Sequence, residues 1–164
     1  MNAEKVQKIS QALKLWRMLS PKPLGKWLFG KIICFKAPYF NSIAPQFKVL
    51  EPGLCLVMIK KRRLVHNHIN TVHAIAMCNM AELAGGTMME VSVPITQRWI
   101  PKGMTVRYIK KAETNLTAEA RFANVPTYGE AQSMQVNVKV TDVANELVFE
   151  ASIEMWVAPK KAAL

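Results

Sequence analysis

Three histidines, His66, His68 and His73, fall within eight residues, with Asn67 and Asn70 among them. An apolar run from Val72 to Met89 follows, and its only charge is Glu82. A lone carboxylate in an apolar segment is costly to bury without a partner, and burial raises its pKa toward neutrality, as a general base requires. Glu82 is therefore the candidate base, with direct nucleophilic attack as its second option. The His/Asn cluster is its candidate partner. Within it, His73 reads as a hydrogen-bonding residue at a helix start rather than as a base, and His66 and His68 as loop or strand-end residues. The histidine spacing matches no metal motif, and a strand would turn these side chains to alternate sides, so no metal site is expected. The chain has no GxSxG nucleophile elbow and no GxxxxGK phosphate loop.

Two kinds of element must position these groups. Val72–Met89 reads as one helix, apolar nearly all round, which has to be covered on most sides. Cys78 and Asn79 fall one turn before Glu82 on its face, and Gly86 one turn after. His73 and Glu82 are nine residues apart, which is about 13–14 Å along a helix axis and half a revolution around it. One chain does not easily bring both to one site. A two-fold dimer does, by setting Glu82 of one subunit against the 67–74 loop of the other.

The rest of the pattern is mostly strand. Leu54–Lys61 is apolar on both faces up to its lysines. Thr105–Lys110, Leu116–Ala123, Gln135–Thr141 and Leu147–Val157 alternate as half-buried antiparallel strands. Asp142–Asn145 is the turn between the last two, and Ala123–Gln132, with Pro126 and Gly129, is a longer connection. Upstream, Val6, Ile9, Leu13, Trp16 and Leu19 lie at helical spacing across Glu4–Leu19, and Pro21 and Pro23 end that helix. A second short helix is expected over Leu24–Phe35. One antiparallel sheet wrapped around a buried helix is the hotdog arrangement. The fold expected is therefore α+β: a hotdog domain over 45–164 and an N-terminal helical extension over 1–44, a single domain overall.

The chain has 164 residues, enough for one domain with a substantial core. Its net charge of +11 is uneven: residues 1–65 carry 13 Lys and Arg against two acids, and the remainder carries nine of each. A basic field favours anionic partners such as a membrane surface, a nucleotide-bearing molecule or an acidic carrier protein. The lysines beside Trp27, Leu28 and Phe29 resemble those of interfacial membrane helices, and the competing reading is a helix pair packed on the domain. Nucleic acid is not an expected partner, because the basic segment carries no recognition motif. Cys34, Cys55 and Cys78 are scattered and odd in number, as reduced thiols of a cytoplasmic protein would be. Met1–Lys8 lacks the apolar core of a signal peptide.

Asn67, then Asn70-Thr71-Val72-His73-Ala74, then Glu82 nine positions after His73 resembles a motif of hotdog thioesterases of the phenylacetate-pathway type. Those have an Asn, a Gly-Thr-x-His-Gly turn and an acid at that spacing. The chain looks like a divergent member of that superfamily over roughly residues 45–157, near its less characterised branches with an extra N-terminal helical segment. It departs from the pattern at Asn70 and Ala74, where the family has glycine, and at Gly86, where some members have Thr or Ser. Asn tolerates the left-handed backbone such a turn needs, and Ala74 can still offer its N–H at a helix start.

The resemblance implies a thioesterase-like hydrolase of acyl-CoA or acyl-carrier thioesters, with sites shared across a homodimer; association into a dimer of dimers is left open by the sequence. Glu82 would activate water, Asn67 would orient the water or thioester, and the Ala74 N–H would polarise the carbonyl. Gly85-Gly86 would let an acyl chain or a neighbouring backbone come close. No cofactor is implied, coenzyme A being part of the substrate, and Lys60, Lys61, Arg62 and Arg63 are among the candidates to meet its phosphates. The alternative is a non-catalytic hotdog module that binds an acyl ligand and associates with membranes through its basic N-terminal segment.

Overall fold

A computed structural model describes residues 9–160. Helix α1 (Gln11–Leu19) is capped by Ser10, whose hydroxyl accepts from the Leu13 N–H at 3.2 Å and so satisfies a donor that the helix start leaves free. The expected start at Glu4, and Val6 with it, lies outside the described residues. Helix α2 (Gly25–Lys36) follows the Pro21/Pro23 turn. Trp16 of α1 and Phe29 of α2 meet edge-on with ring centres 5.1 Å apart, and Phe29 meets Phe47 at 5.0 Å. Edge-to-face contact satisfies the ring quadrupoles, so this cluster welds the N-terminal helices to the first strand.

A 3-10 segment (Pro38–Ile43) leads into β1 (Gln46–Glu51) and β2 (Leu54–Ile59), and then comes the long helix α3 (Ala74–Ser92). Strands β3 (Gln97–Tyr108), β4 (Leu116–Phe122), β5 (Gln132–Thr141) and β6 (Leu147–Pro159) complete one antiparallel sheet in the order β1-β2-β4-β5-β6-β3. The sheet wraps α3, which is the hotdog fold. Val136, Val138 and Val140 of β5 sit opposite Ile153, Ala151 and Phe149 of β6; all six are buried, while Gln135, Asn137 and Lys139 face outward. That is the period-2 alternation read from the sequence. From the helix side, Met80, Leu83, Met88 and Met89 fill the core, and each fully buried side chain of this size contributes roughly 1.5–3 kcal/mol. Gly85 lets helix and sheet close together: a Cβ there would stand 3.0 Å from Ile153 Cδ1. No helix among the described residues is long and apolar enough to cross a membrane.

Strand β3 departs from expectation. It starts at Gln97 rather than Thr105, and its register shifts between Pro101 and Gly103. Proline and glycine hide a strand in sequence, yet both are tolerated at an edge or a bulge. β3 is such an edge. It pairs with β6 on one side and has no partner strand on the other among the described residues.

At the β5–β6 turn, Asp142 Oδ1 accepts from the N–H groups of Ala144 (2.9 Å) and Glu146 (3.0 Å). Lys110 Nζ lies 3.0 Å from Asp142 Oδ2. The Lys110 hydrogen bond, helped by the backbone N–H of Glu146, holds the Asp142 carboxyl below its ordinary value. A depressed folded-state pKa adds stability above the unfolded value, and that stability is lost as pH falls through the folded one. An NMR titration is therefore expected to find Asp142 titrating below the usual carboxylate range, and Asp142→Asn to remove its share of the acid dependence of unfolding.

Candidate active site

The loop before α3 is built by its own side chains. Asn67 Oδ1 accepts from the N–H groups of Ile69 (3.1 Å) and Thr71 (3.0 Å), and Asn67 Nδ2 donates to Thr71 Oγ1 at 2.8 Å. Asn70 adopts φ +60°, the left-handed backbone that asparagine tolerates better than most residues. His73 caps α3, its Nδ1 accepting from the Ile75 N–H at 3.0 Å, so a neutral His73 carries its proton on Nε2. That is the helix-start role read for it from the sequence. The cap leaves the Ala74 N–H without a protein acceptor among the described residues, at the positive end of the helix. Asn67 is chiefly a loop-shaping residue within one chain, since its oxygen is taken up by two backbone donors.

Glu82 is not buried. Along α3, Ile75, Glu82 and Glu90 are exposed and Gly86 half-buried, and their spacing puts them on one open stripe. The burial expected of a lone carboxylate in an apolar run is therefore not supplied by its own chain. A helix apolar nearly all round gave no sign of which side stays uncovered, and the uncovered side is the one carrying its acids. Glu82 lines a cavity of about 350 Å³ together with apolar Ile33, Phe40, Leu83 and Trp99, and Lys36 stands in the same wall. Gly86 seats the indole of Trp99: a Cβ there would be 3.2 Å from Trp99 Cη2. Trp99 Nε1 in turn donates to Glu90 Oε2 at 3.2 Å. The close approach at the Gly85-Gly86 pair is therefore made by Ile153 and Trp99.

Asn79 goes elsewhere. It is buried, its Nδ2 donates to Ser42 Oγ at 3.0 Å, and its Oδ1 has no partner among the described residues. It lines a second groove with Tyr39, His66 and His73, and His66 Nε2 is likewise buried without a partner. Unpaired buried polar atoms are costly, so this groove is suited to a ligand or water that supplies the missing bonds. The 3-10 segment separates the two spaces, with Phe40 in one and Ser42 in the other. Cys78 Sγ lies 3.3 Å from the Tyr108 hydroxyl, and this bond, with burial adding, raises the phenol's pKa. Burial pushes the Cys34 and Cys55 thiols up as well, which disfavours thiolate chemistry at either.

Of the sequence-derived residues, Glu82 and Gly86 line the apolar cavity, His73 and Asn79 line the helix-start groove, and Asn67, Asn70 and Ala74 line neither. Ala74 and Glu82 are eight residues apart, about 12 Å along the axis. Trp99, Lys36, Phe40 and Ser42 were not anticipated. They come from the N-terminal segment and from the part of β3 that Pro101 and Gly103 conceal.

Solved structures share this fold. The structural-genomics target APC5556 is 42% identical, with 91% of this chain and 98% of that one covered and a TM-score of 0.80. A Pseudomonas aeruginosa protein of unknown function, described as a probable thioesterase, is 22% identical with 77% of this chain and 91% of that one covered, at TM-score 0.68. A Haemophilus influenzae thioesterase is 8% identical with 76% and 87% covered, at TM-score 0.66. No curated protein matches the sequence. The model of a family described as a domain of unknown function, DUF4442, matches residues 25–157, and the chain belongs to that family.

Proposed function

We propose that this protein hydrolyses acyl thioesters, of coenzyme A or of an acyl carrier, at sites shared between two protomers. The observation that carries this reading is the position of Glu82. It stands at an apolar cavity of about 350 Å³ on the open stripe of α3, while the N–H of Ala74, without an acceptor among the described residues, lies about 12 Å away along the same helix. Brought together across a two-fold axis, the two supply what thioester hydrolysis needs. Glu82 takes a proton from water, and the resulting hydroxide attacks the carbonyl carbon. The Ala74 N–H stabilises the oxyanion, and collapse of the tetrahedral intermediate expels the thiolate, which is then protonated. The cavity holds the acyl chain and Lys36 meets anionic groups of the carrier.

Dimerisation itself is favoured by β3, a 12-residue edge strand with exposed Ile100, Met104 and Tyr108. Soluble proteins usually cover or blunt so long an apolar edge. The descriptions of the Pseudomonas and Haemophilus proteins as thioesterases agree with the same chemistry. Wild-type protein is expected to release free thiol from at least one member of a panel of acyl-CoAs of increasing chain length, and to have a solution mass twice the 18.4 kDa of one chain. Inactivity across the whole panel rejects the hydrolase. A second reading is a non-catalytic acyl-binding module. It is favoured by Asn67, whose side chain is engaged in its own loop rather than offered to water, and it predicts saturable acyl-CoA binding without thiol release.

A further inference from the structure

Helix α2 is apolar on both of its faces. Phe29, Gly30 and Cys34 are buried against the domain. The opposite side carries Leu24, Trp27, Leu28 and Phe35, which are 78%, 58%, 42% and 87% exposed. Trp27, Leu28, Lys31 and Phe35 lie at spacings of three and four residues, which aligns them in one outward stripe, and Leu24 is the residue just before the helix. Lys31 Nζ lies 5.8 Å from the centre of the Trp27 ring, so its charge stays within the stripe. Leu24 holds a left-handed backbone, φ +59°, a strained conformation for a side chain of this size. No burial of its side chain offsets that strain.

The segment that carries the stripe has charge of one sign. Residues 9–50 contain no acid, while Lys14, Arg17, Lys22, Lys26, Lys31, Lys36 and Lys48 all fall within them. A second copy laid over the stripe by a two-fold axis would bring lysines toward lysines, with no acid on α1 or α2 to pair them. An anionic bilayer complements both features: its headgroups pair with ammonium groups, and its acyl boundary takes up Trp, Phe and Leu tips.

We propose that the outward stripe of α2 docks this protein on anionic lipid surfaces. Trp27, Phe35, Leu24 and Leu28 enter the boundary below the headgroups, and Lys31, with neighbouring lysines, contacts the phosphates. Ile33 and Lys36, on the other side of the same helix, line the cavity at Glu82. The docking does not depend on hydrolysis.

The test is sedimentation of the full chain with vesicles of phosphatidylcholine alone or with about one-third phosphatidylglycerol. Binding is expected to the anionic vesicles and to weaken with added salt. The double variant Trp27→Ala/Phe35→Ala is expected to lose at least about tenfold in partitioning, since it removes two exposed apolar anchors. Lys31→Glu is expected to weaken binding to anionic vesicles while leaving the weak binding to neutral ones unchanged. All three residues are exposed, so circular dichroism should report an unaltered fold. Absence of binding to anionic vesicles overturns the proposal, as does equal binding by both variants. A double variant that falls from dimer to monomer in light scattering also overturns it, by assigning the stripe to a second copy.

Discussion

Glu82→Gln is expected to lower acyl-thioester hydrolysis by about 100- to 10,000-fold, the usual worth of a positioned general base. The fold should not change, because Glu82 is exposed and makes no side-chain hydrogen bond or ion pair among the described residues. The same site offers a second deletion that is unusually narrow. Ala74 is the first residue of α3, and His73 before it has φ −64° and ψ 140°. Proline is favoured at a first helical position and wants an extended residue in front of it. Ala74→Pro therefore removes the proposed oxyanion donor with little cost to the helix. Losing one such donor typically lowers the rate about 100- to 1,000-fold.

Mixing the two dead proteins then tests the shared site. If Glu82 of one protomer serves the helix start of the other, each mixed dimer holds one site with both groups intact and one with neither. Random reassortment makes half of the dimers mixed, so about a quarter of wild-type activity should return. Thiol release after co-refolding measures it. No recovery in a mixture whose subunits have demonstrably exchanged rejects the cross-protomer arrangement, even where both single variants are inactive.

Phe47→Ala is expected to be the most damaging single truncation of the N-terminal joint, costing about 3–5 kcal/mol. Phe47 is 1% exposed and bridges β1 to Phe29 of α2, with Trp16 of α1 beyond at 6.5 Å. Its removal leaves a cavity between the helix pair and the sheet that neither can fill without moving. For a domain of this size each kcal/mol shifts Tm by about 2–4 °C, so calorimetry should show a fall of roughly 6–20 °C. Phe35→Ala is the control. The same side chain, on the outer face of α2, should leave Tm nearly unchanged, and an equal fall for both would mean that the cluster is not what binds α1 and α2 to the domain.

Several features of the fold were legible because local periodicity encodes them. β4, β5 and β6 alternate cleanly, so their inward faces could be read residue by residue, and α3 was visible as a long apolar run too continuous for an exposed helix. The turn chemistry was legible as well: Asn70 is left-handed, and His73 caps the helix. The spacing of His73 and Glu82 already argued against their meeting in one chain, because helix geometry depends on residue count alone. The first half of β3 was not legible, since Pro101 and Gly103 carry no strand signal and are accommodated only because that strand is an edge.

What tertiary structure alone decided is where each helix face goes. α3 is apolar nearly all round, so its composition could not say that the Glu82 stripe would remain open, that Asn79 would turn to Ser42, or that Trp99 would settle on Gly86. α2 is apolar on two sides, and only packing decided that Phe29 goes in while Trp27 and Phe35 stay out. The physical reason is the same for both helices. The sequence by itself determined which residues share a face, because spacing along the chain is local. Which face is covered depends on partners distant in the chain, and that is settled only when the sheet has closed around the helix.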